Sequence, residues 1–82
     1  MRVKVVFYGG LQRDVGVKEQ GFQFAEDSLT VKEIGEKLIE RYPALRSKMQ
    51  SVVYAVGDEI VDGGHLVRDG DEIGLLPPVS GG

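Results

Sequence analysis

The sequence predicts an α+β domain in which a mixed sheet of four to five strands carries one main helix on a single face. Three observations lead there. Apolar and polar residues alternate near both ends of the 82-residue chain, the pattern of strands with two unlike faces. One segment, after Thr30, combines a capping signature with an apolar stripe at helical spacing. No second segment of comparable length repeats that pattern, so a single stripe has a single sheet face to cover.

The elements follow in order. Arg2 to Tyr8 alternates, with Val3, Val5 and Phe7 on one face and Lys4, Val6 and Tyr8 on the other. Gly9-Gly10 ends this strand, and Leu11 to Gly16 is a connection with room for one helical turn. Lys18 to Ala25 is a second strand with Phe22 and Phe24 on one face. Ser28 and Thr30 are both N-cap candidates, and Thr30 with Glu33 has capping-box spacing. Val31, Ile34, Leu38 and Tyr42 then form the helix stripe, which Pro43 stops. Gly35 weakens the helix by roughly 1 kcal/mol relative to alanine, so close packing against the sheet is its expected reason. Ala44 to Gln50 reads as a short irregular helix and Val52 to Val56 as a third strand. Gly57-Asp58 and Gly63-Gly64 bracket a short strand, Glu59 to Val61. Arg68-Asp69-Gly70-Asp71 is a turn, and Glu72 to Leu76 is the last strand, with Gly74 and Leu76 sharing a face. The first and last strands are the most apolar and are expected to lie side by side at the centre. Phe7, Phe22, Ile34, Leu38 and Leu75 are the expected core. Strand, strand, helix, strand, short strand, strand is the β-grasp order, the shape of ubiquitin. Residues 1–76 form this domain, and residues 77–82 form an extended tail.

Composition narrows the function. A chain of this length makes one domain and buries roughly 60–65% of its unfolded surface, too little for a deep catalytic cavity. There is no cysteine, hence no disulfide, thiol nucleophile or thiolate metal site. His65 is the single histidine and reads as a loop residue. The formal net charge is −3 with both signs interspersed, which argues against a nucleic-acid partner. Asp69, Asp71 and Glu72 read as a solvated turn rather than a cation site, with room to meet a basic partner surface. Gly9-Gly10 lacks the lysine and hydroxyl residue of a phosphate loop. The N-terminal run alternates with charge, unlike a signal peptide, and no run approaches the ~20 apolar residues of a membrane helix. A soluble cytoplasmic protein with no membrane partner is expected.

The most informative residues are Pro77-Pro78-Val79-Ser80-Gly81-Gly82. Two prolines hold a segment extended and lower the entropy lost on insertion into a partner. The glycines have no Cβ to obstruct attack at their carbonyls and pass through a narrow channel. A terminal carboxylate at Gly82 is ionised at neutral pH and inert to nucleophiles. It becomes reactive once converted to an acyl adenylate, from which sulfide displaces AMP to leave a thiocarboxylate.

Taken with the fold, the Asp69-Gly70-Asp71-Glu72 turn, the strand after it and the Pro-Pro-Val-Ser-Gly-Gly tail resemble the family of molybdopterin synthase small subunits, the MoaD sulfur carriers. The resemblance covers the whole chain. It departs at Leu75-Leu76, where the family carries a large aromatic pair, and at Gln12, where the family often has an arginine and this chain has Arg13 next in line. The resemblance implies that Gly82, with Gly81, is the reactive end. It implies that Tyr8, Ile60 and Leu76 form an apolar docking patch continued by Pro77, Pro78, Val79 and Ser80. It implies two partners: the large subunit of molybdopterin synthase, in a heterotetramer of two small and two large subunits, and an adenylating enzyme of the ubiquitin-activating type. A sulfur donor completes the system. No cofactor is expected on this chain; ATP with magnesium would be used by the activating partner. The implied reaction gives sulfur to cyclic pyranopterin monophosphate to form the molybdopterin dithiolene, with catalytic side chains on the large subunit. The alternatives are a ubiquitin-like protein modifier, a sulfur carrier for tRNA thiolation or thiamine synthesis, and a β-grasp interaction module without tail chemistry.

Overall fold

The computed structural model describes residues 1–78. Seven strands and two α-helices follow the chain: β1 (Arg2–Phe7), α1 (Leu11–Val15), β2 (Glu19–Gln23), β3 (Ser28–Thr30), α2 (Val31–Arg41), β4 (Val53–Val56), β5 (Glu59–Val61), β6 (Leu66–Arg68) and β7 (Glu72–Leu76). Five strands form the main sheet in the order β2-β1-β7-β4-β5. β1 and β7 run parallel, and the other pairs are antiparallel. This is the expected mixed sheet, with β7 in the middle and β1 beside it. β3 and β6 form a separate two-stranded sheet that the sequence reading did not anticipate. Ser28, an expected cap candidate, instead pairs with Arg68 across it.

Helix α2 begins where the capping box places it. The Thr30 N–H donates to Glu33 Oε1 at 2.9 Å, and the Glu33 N–H donates back to Thr30 Oγ1 at 3.2 Å. Hydrogen bonding from the Thr30 backbone, then from its hydroxyl, holds the Glu33 carboxyl below its ordinary range. A depressed folded-state pKa means that the box stabilises the fold above the ordinary carboxylate range and loses this effect as pH falls through the folded value. Thr30→Ala is expected to lower stability by about 1 kcal/mol at neutral pH. A shift in urea midpoint measures this, and the gap between variant and parent should narrow in acid.

The stripe Val31, Ile34 and Leu38 is buried against Val3, Val5 and Phe7 of β1 and Ile73 and Leu75 of β7, all members of one core with Leu11, Leu29, Leu45 and Val67. A Cβ on Gly35 would come within 2.5 Å of Tyr54 Oη; the absent side chain lets α2 close onto β4. Burial there, with a smaller push from Glu36, raises the Tyr54 hydroxyl pKa. Pro43 ends α2 and opens a 3₁₀ turn over Pro43–Leu45, with a second at Met49–Ser51. The expected irregular helix over 44–50 is therefore two single turns, and Leu45, in the first of them, is fully buried.

Phe22 departs from expectation. It is only partly buried, because β2 is an edge strand. Its ring stacks on Phe24 with centroids 6.0 Å apart and meets Tyr42 edge-on at 6.5 Å. This aromatic group flanks the core. The turn before β7 is tied into the sheet: Asp69 Oδ1 accepts from the Arg2 N–H at 2.7 Å, and Asp71 Oδ2 accepts from the Arg68 N–H at 2.9 Å. These carboxylates cap backbone donors that would otherwise lack partners.

Candidate functional site: the outer sheet face and the tail exit

Side chains of opposite parity to the core emerge on the sheet face turned away from α2. The register sets them in two rows. Val6 pairs with Gly74, Gly74 with Ala55, and Ala55 with Ile60. Leu76 pairs with Val53, and Tyr8 reaches the same level, its N–H donating to the Leu75 carbonyl at 3.1 Å. Gly74 is the floor of the patch. A Cβ there would stand 3.1 Å from Tyr8 Cε2, 3.7 Å from Ala55 Cβ and 3.8 Å from Leu76 Cδ1, so those three side chains converge over it.

The residues named from sequence therefore share one surface. Tyr8 is 44% and Ile60 62% exposed, and Leu76 is partly buried between them. The structure adds Val6, Val53 and Ala55. Val6 was legible from strand parity; Val53 and Ala55 became members only through the β4–β7 register. An exposed apolar surface that crosses four strands is the kind of area that marks a protein interaction site. The opposite end of the same face is charged: Lys4 bridges Glu19 at 2.6 Å and Glu72 at 3.7 Å. These exposed pairs contribute at most about 1 kcal/mol each but separate an apolar end from a polar one.

The tail leaves from the apolar end. β7 ends at Leu76, and Pro77 lies over the turn after β1: a Cβ on Gly9 would meet Pro77 Cγ at 3.0 Å and Cδ at 3.6 Å. Gly9 has φ +56°, in the left-handed region that glycine adopts without strain. Pro78 is exposed. The expected site residues Val79, Ser80, Gly81 and Gly82 lie outside the described residues.

Among the described residues, no cluster of three histidine, cysteine, aspartate or glutamate side chains could hold a metal ion, and no helix is long and apolar enough to cross a membrane. An open depression of about 780 Å³ is lined by both polar and apolar groups. It lies at the charged end, between β1, β2 and the turn before β7.

Comparison with known proteins fits this arrangement. The ThiS family model matches residues 5–82. The molybdopterin synthase sulfur carrier subunit of Chlamydomonas reinhardtii is 33% identical over 84 aligned residues covering 100% of both chains. Among solved structures, the small archaeal modifier protein 1 (SAMP1) of Methanosarcina acetivorans superposes with a TM-score of 0.78 at 27% identity, covering 99% of this chain and 96% of that one. A chain from the complex of subunits 1 and 2 of the molybdopterin-converting factor of Helicobacter pylori 26695 superposes with a TM-score of 0.68 at 26% identity, covering 100% of each. With a family match that spans nearly the whole domain and continues through the Pro-Pro-Val-Ser-Gly-Gly segment, this chain belongs to the ThiS family.

Proposed function

We propose that this chain is the sulfur-carrying small subunit of a molybdopterin synthase. The observation that carries the proposal is its end-to-end match to a molybdopterin synthase sulfur carrier subunit, which includes the Gly-Gly tail. The apolar outer face supports it by offering a docking surface beside the tail exit.

In this reading the fold presents and the tail reacts. The Gly82 carboxylate oxygen attacks the α-phosphorus of ATP on an adenylating partner, and pyrophosphate leaves. Sulfide from a donor adds at the Gly82 carbonyl, and AMP leaves with the C–O electron pair. The resulting thiocarboxylate is an anionic sulfur nucleophile. On the large subunit it gives its sulfur to cyclic pyranopterin monophosphate, and the carboxylate returns when water replaces the sulfur. Catalytic side chains and the ATP site belong to the partners. This chain supplies Tyr8, Leu76 and Ile60 for docking, and Pro77-Pro78 to keep the tail away from the body. Both partners use the same face in turn, and two copies of this chain sit on a dimer of large subunits.

Incubation with ATP, a sulfur source and the adenylating enzyme of the same genome tests the proposal by intact mass. Replacement of one oxygen by sulfur at Gly82 is the expected result. An unchanged mass, with that enzyme active on another carrier, refutes it. The likeness to an archaeal modifier protein favours a second reading, conjugation of the same activated tail to a lysine amine; an isopeptide-linked partner in place of the thiocarboxylate would establish that one.

The docking face gives a separate prediction. Ile60→Asp is expected to weaken binding to the large subunit by about 30-fold or more, the effect of losing a hot-spot side chain. Because Ile60 is 62% exposed, its melting temperature should match that of the parent. Calorimetric titration reads the first outcome and thermal unfolding the second.

A further inference from the structure

The carrier chemistry needs its reactive end delivered to a fixed point, and the root of the tail, at Pro77, is a place where its direction can be set. Three contacts converge there. The Tyr8 N–H donates to the Leu75 carbonyl at 3.1 Å, which extends the β1–β7 pairing past the end of β1. The Tyr8 ring rests over Gly74, next to the Leu76 side chain. Pro77 occupies the space that a side chain on Gly9 would need, 3.0 Å from Cγ and 3.6 Å from Cδ. The turn Tyr8-Gly9 thus holds the first proline from one side. Pro77 is followed directly by Pro78, and each ring fixes its own φ. A pair of this kind is a short rigid rod, so its direction is decided where its first ring is seated.

We infer that Gly9 is a positioning residue for the tail chemistry, its missing side chain forming the seat that aims Pro77-Pro78 and hence the reactive terminus; the inference rests on the carrier reading above. Gly9 touches no reacting atom. It acts through Pro77, and its effect belongs in the turnover of the docked complex rather than in docking, because the apolar rows of the outer face do not include it. Displacing a reacting group by about 1 Å can lower a rate by around 100-fold. A contact at 3.0 Å requires Pro77 to give by a few tenths of an ångström, which puts the expected effect at about tenfold.

The structure supplies its own control. Gly57 has φ +60°, against +56° for Gly9, and nothing lies within 4 Å of where its Cβ would stand. Gly57→Ala therefore carries the same backbone strain with no clash. Thiocarboxylate formation is measured with the adenylating enzyme of the same genome, ATP and a sulfur source. Gly9→Ala is expected to lower kcat about tenfold with KM unchanged, while Gly57→Ala leaves both unchanged. Gly9→Asn, whose side chain tolerates the left-handed region better, places a Cβ at the same spot with less strain; it should show the same kcat loss, which covers the case in which Gly9→Ala folds poorly. Pro77→Ala removes the ring carbons that the new side chain meets, so adding Gly9→Ala to it should cost little more, a coupling that a double-mutant cycle detects. Independently of any reaction, nuclear Overhauser contacts between the Gly9 α protons and the Pro77 ring are expected in the free chain.

Gly9→Asn and Gly9→Ala turning over like Gly57→Ala, with the parent active, would overturn the inference and leave the carrier reading standing. Absence of the Gly9–Pro77 contacts would overturn it as well. A parent chain that forms no thiocarboxylate would remove the carrier reading and the inference together.

Discussion

Removal of Gly82 abolishes thiocarboxylate formation and leaves the unfolding transition of the domain where it was. The argument is one of reach. A residue extends the chain by at most about 3.3–3.6 Å, and reacting atoms must come within roughly 3–3.5 Å of each other. A tail one residue short therefore leaves its new terminus a full reaction distance from the α-phosphorus, with docking intact. Stability is spared because the sheet and core lie before the tail: β7 ends at Leu76, and among the described residues Leu75 is the last fully buried side chain of the core. Intact mass after incubation with the activating enzyme reads the first outcome, and a urea titration reads the second. A truncated chain that acquires sulfur at the parent's rate would refute the assignment of Gly82.

Phe7→Ala produces the largest loss of stability, about 3–5 kcal/mol. Phe7 is fully buried near the end of β1. It pairs in parallel with Leu75 and meets the Tyr42 ring edge-on, with centroids 5.7 Å apart and planes at 83°. Truncation leaves a cavity under α2 and removes that aromatic contact, worth about 0.5–1.5 kcal/mol by itself. A domain of this size holds roughly 4–12 kcal/mol in all, so the variant should populate unfolded chains at modest urea or above ambient temperature. Phe7→Leu, which refills most of the volume, is expected to cost much less. Equal urea midpoints for Phe7→Ala and the parent would contradict the core described here.

The contrast between Phe7 and Phe22 shows what could be read from the chain. Both are aromatic residues in alternating segments, and both were expected in the core. Phe7 is fully buried; Phe22 is only partly so. The alternation reports which face a side chain takes, and that was right for both. It does not report whether the strand sits inside the sheet or at its edge, because that depends on which strands pair.

The two short strands β3 and β6 went unread for a related reason. Each spans three residues, too few for a period of two to show against the surrounding turns. Leu29 and Val67 are buried there and pair with each other although they stand 38 positions apart in the chain.

The sequence by itself determined the features that depend on near neighbours. These are the start of α2 at the Thr30–Glu33 box, its end at Pro43, the alternation of β1 and β7 and the turn residues between strands. Family membership rests equally on the order of residues through the tail. Only the tertiary structure decided what depends on register: the addition of Val53 and Ala55 to the face that holds Tyr8, Leu76 and Ile60, the use of Asp69 to hold the Arg2 amide across 67 positions of sequence, and the seating of Pro77 on Gly9. Capping and periodicity act within about four residues, where the chain's own geometry fixes who meets whom. Register joins residues that are far apart in sequence, and it is set by how the whole core closes around Phe7, Ile34, Leu38 and Leu75.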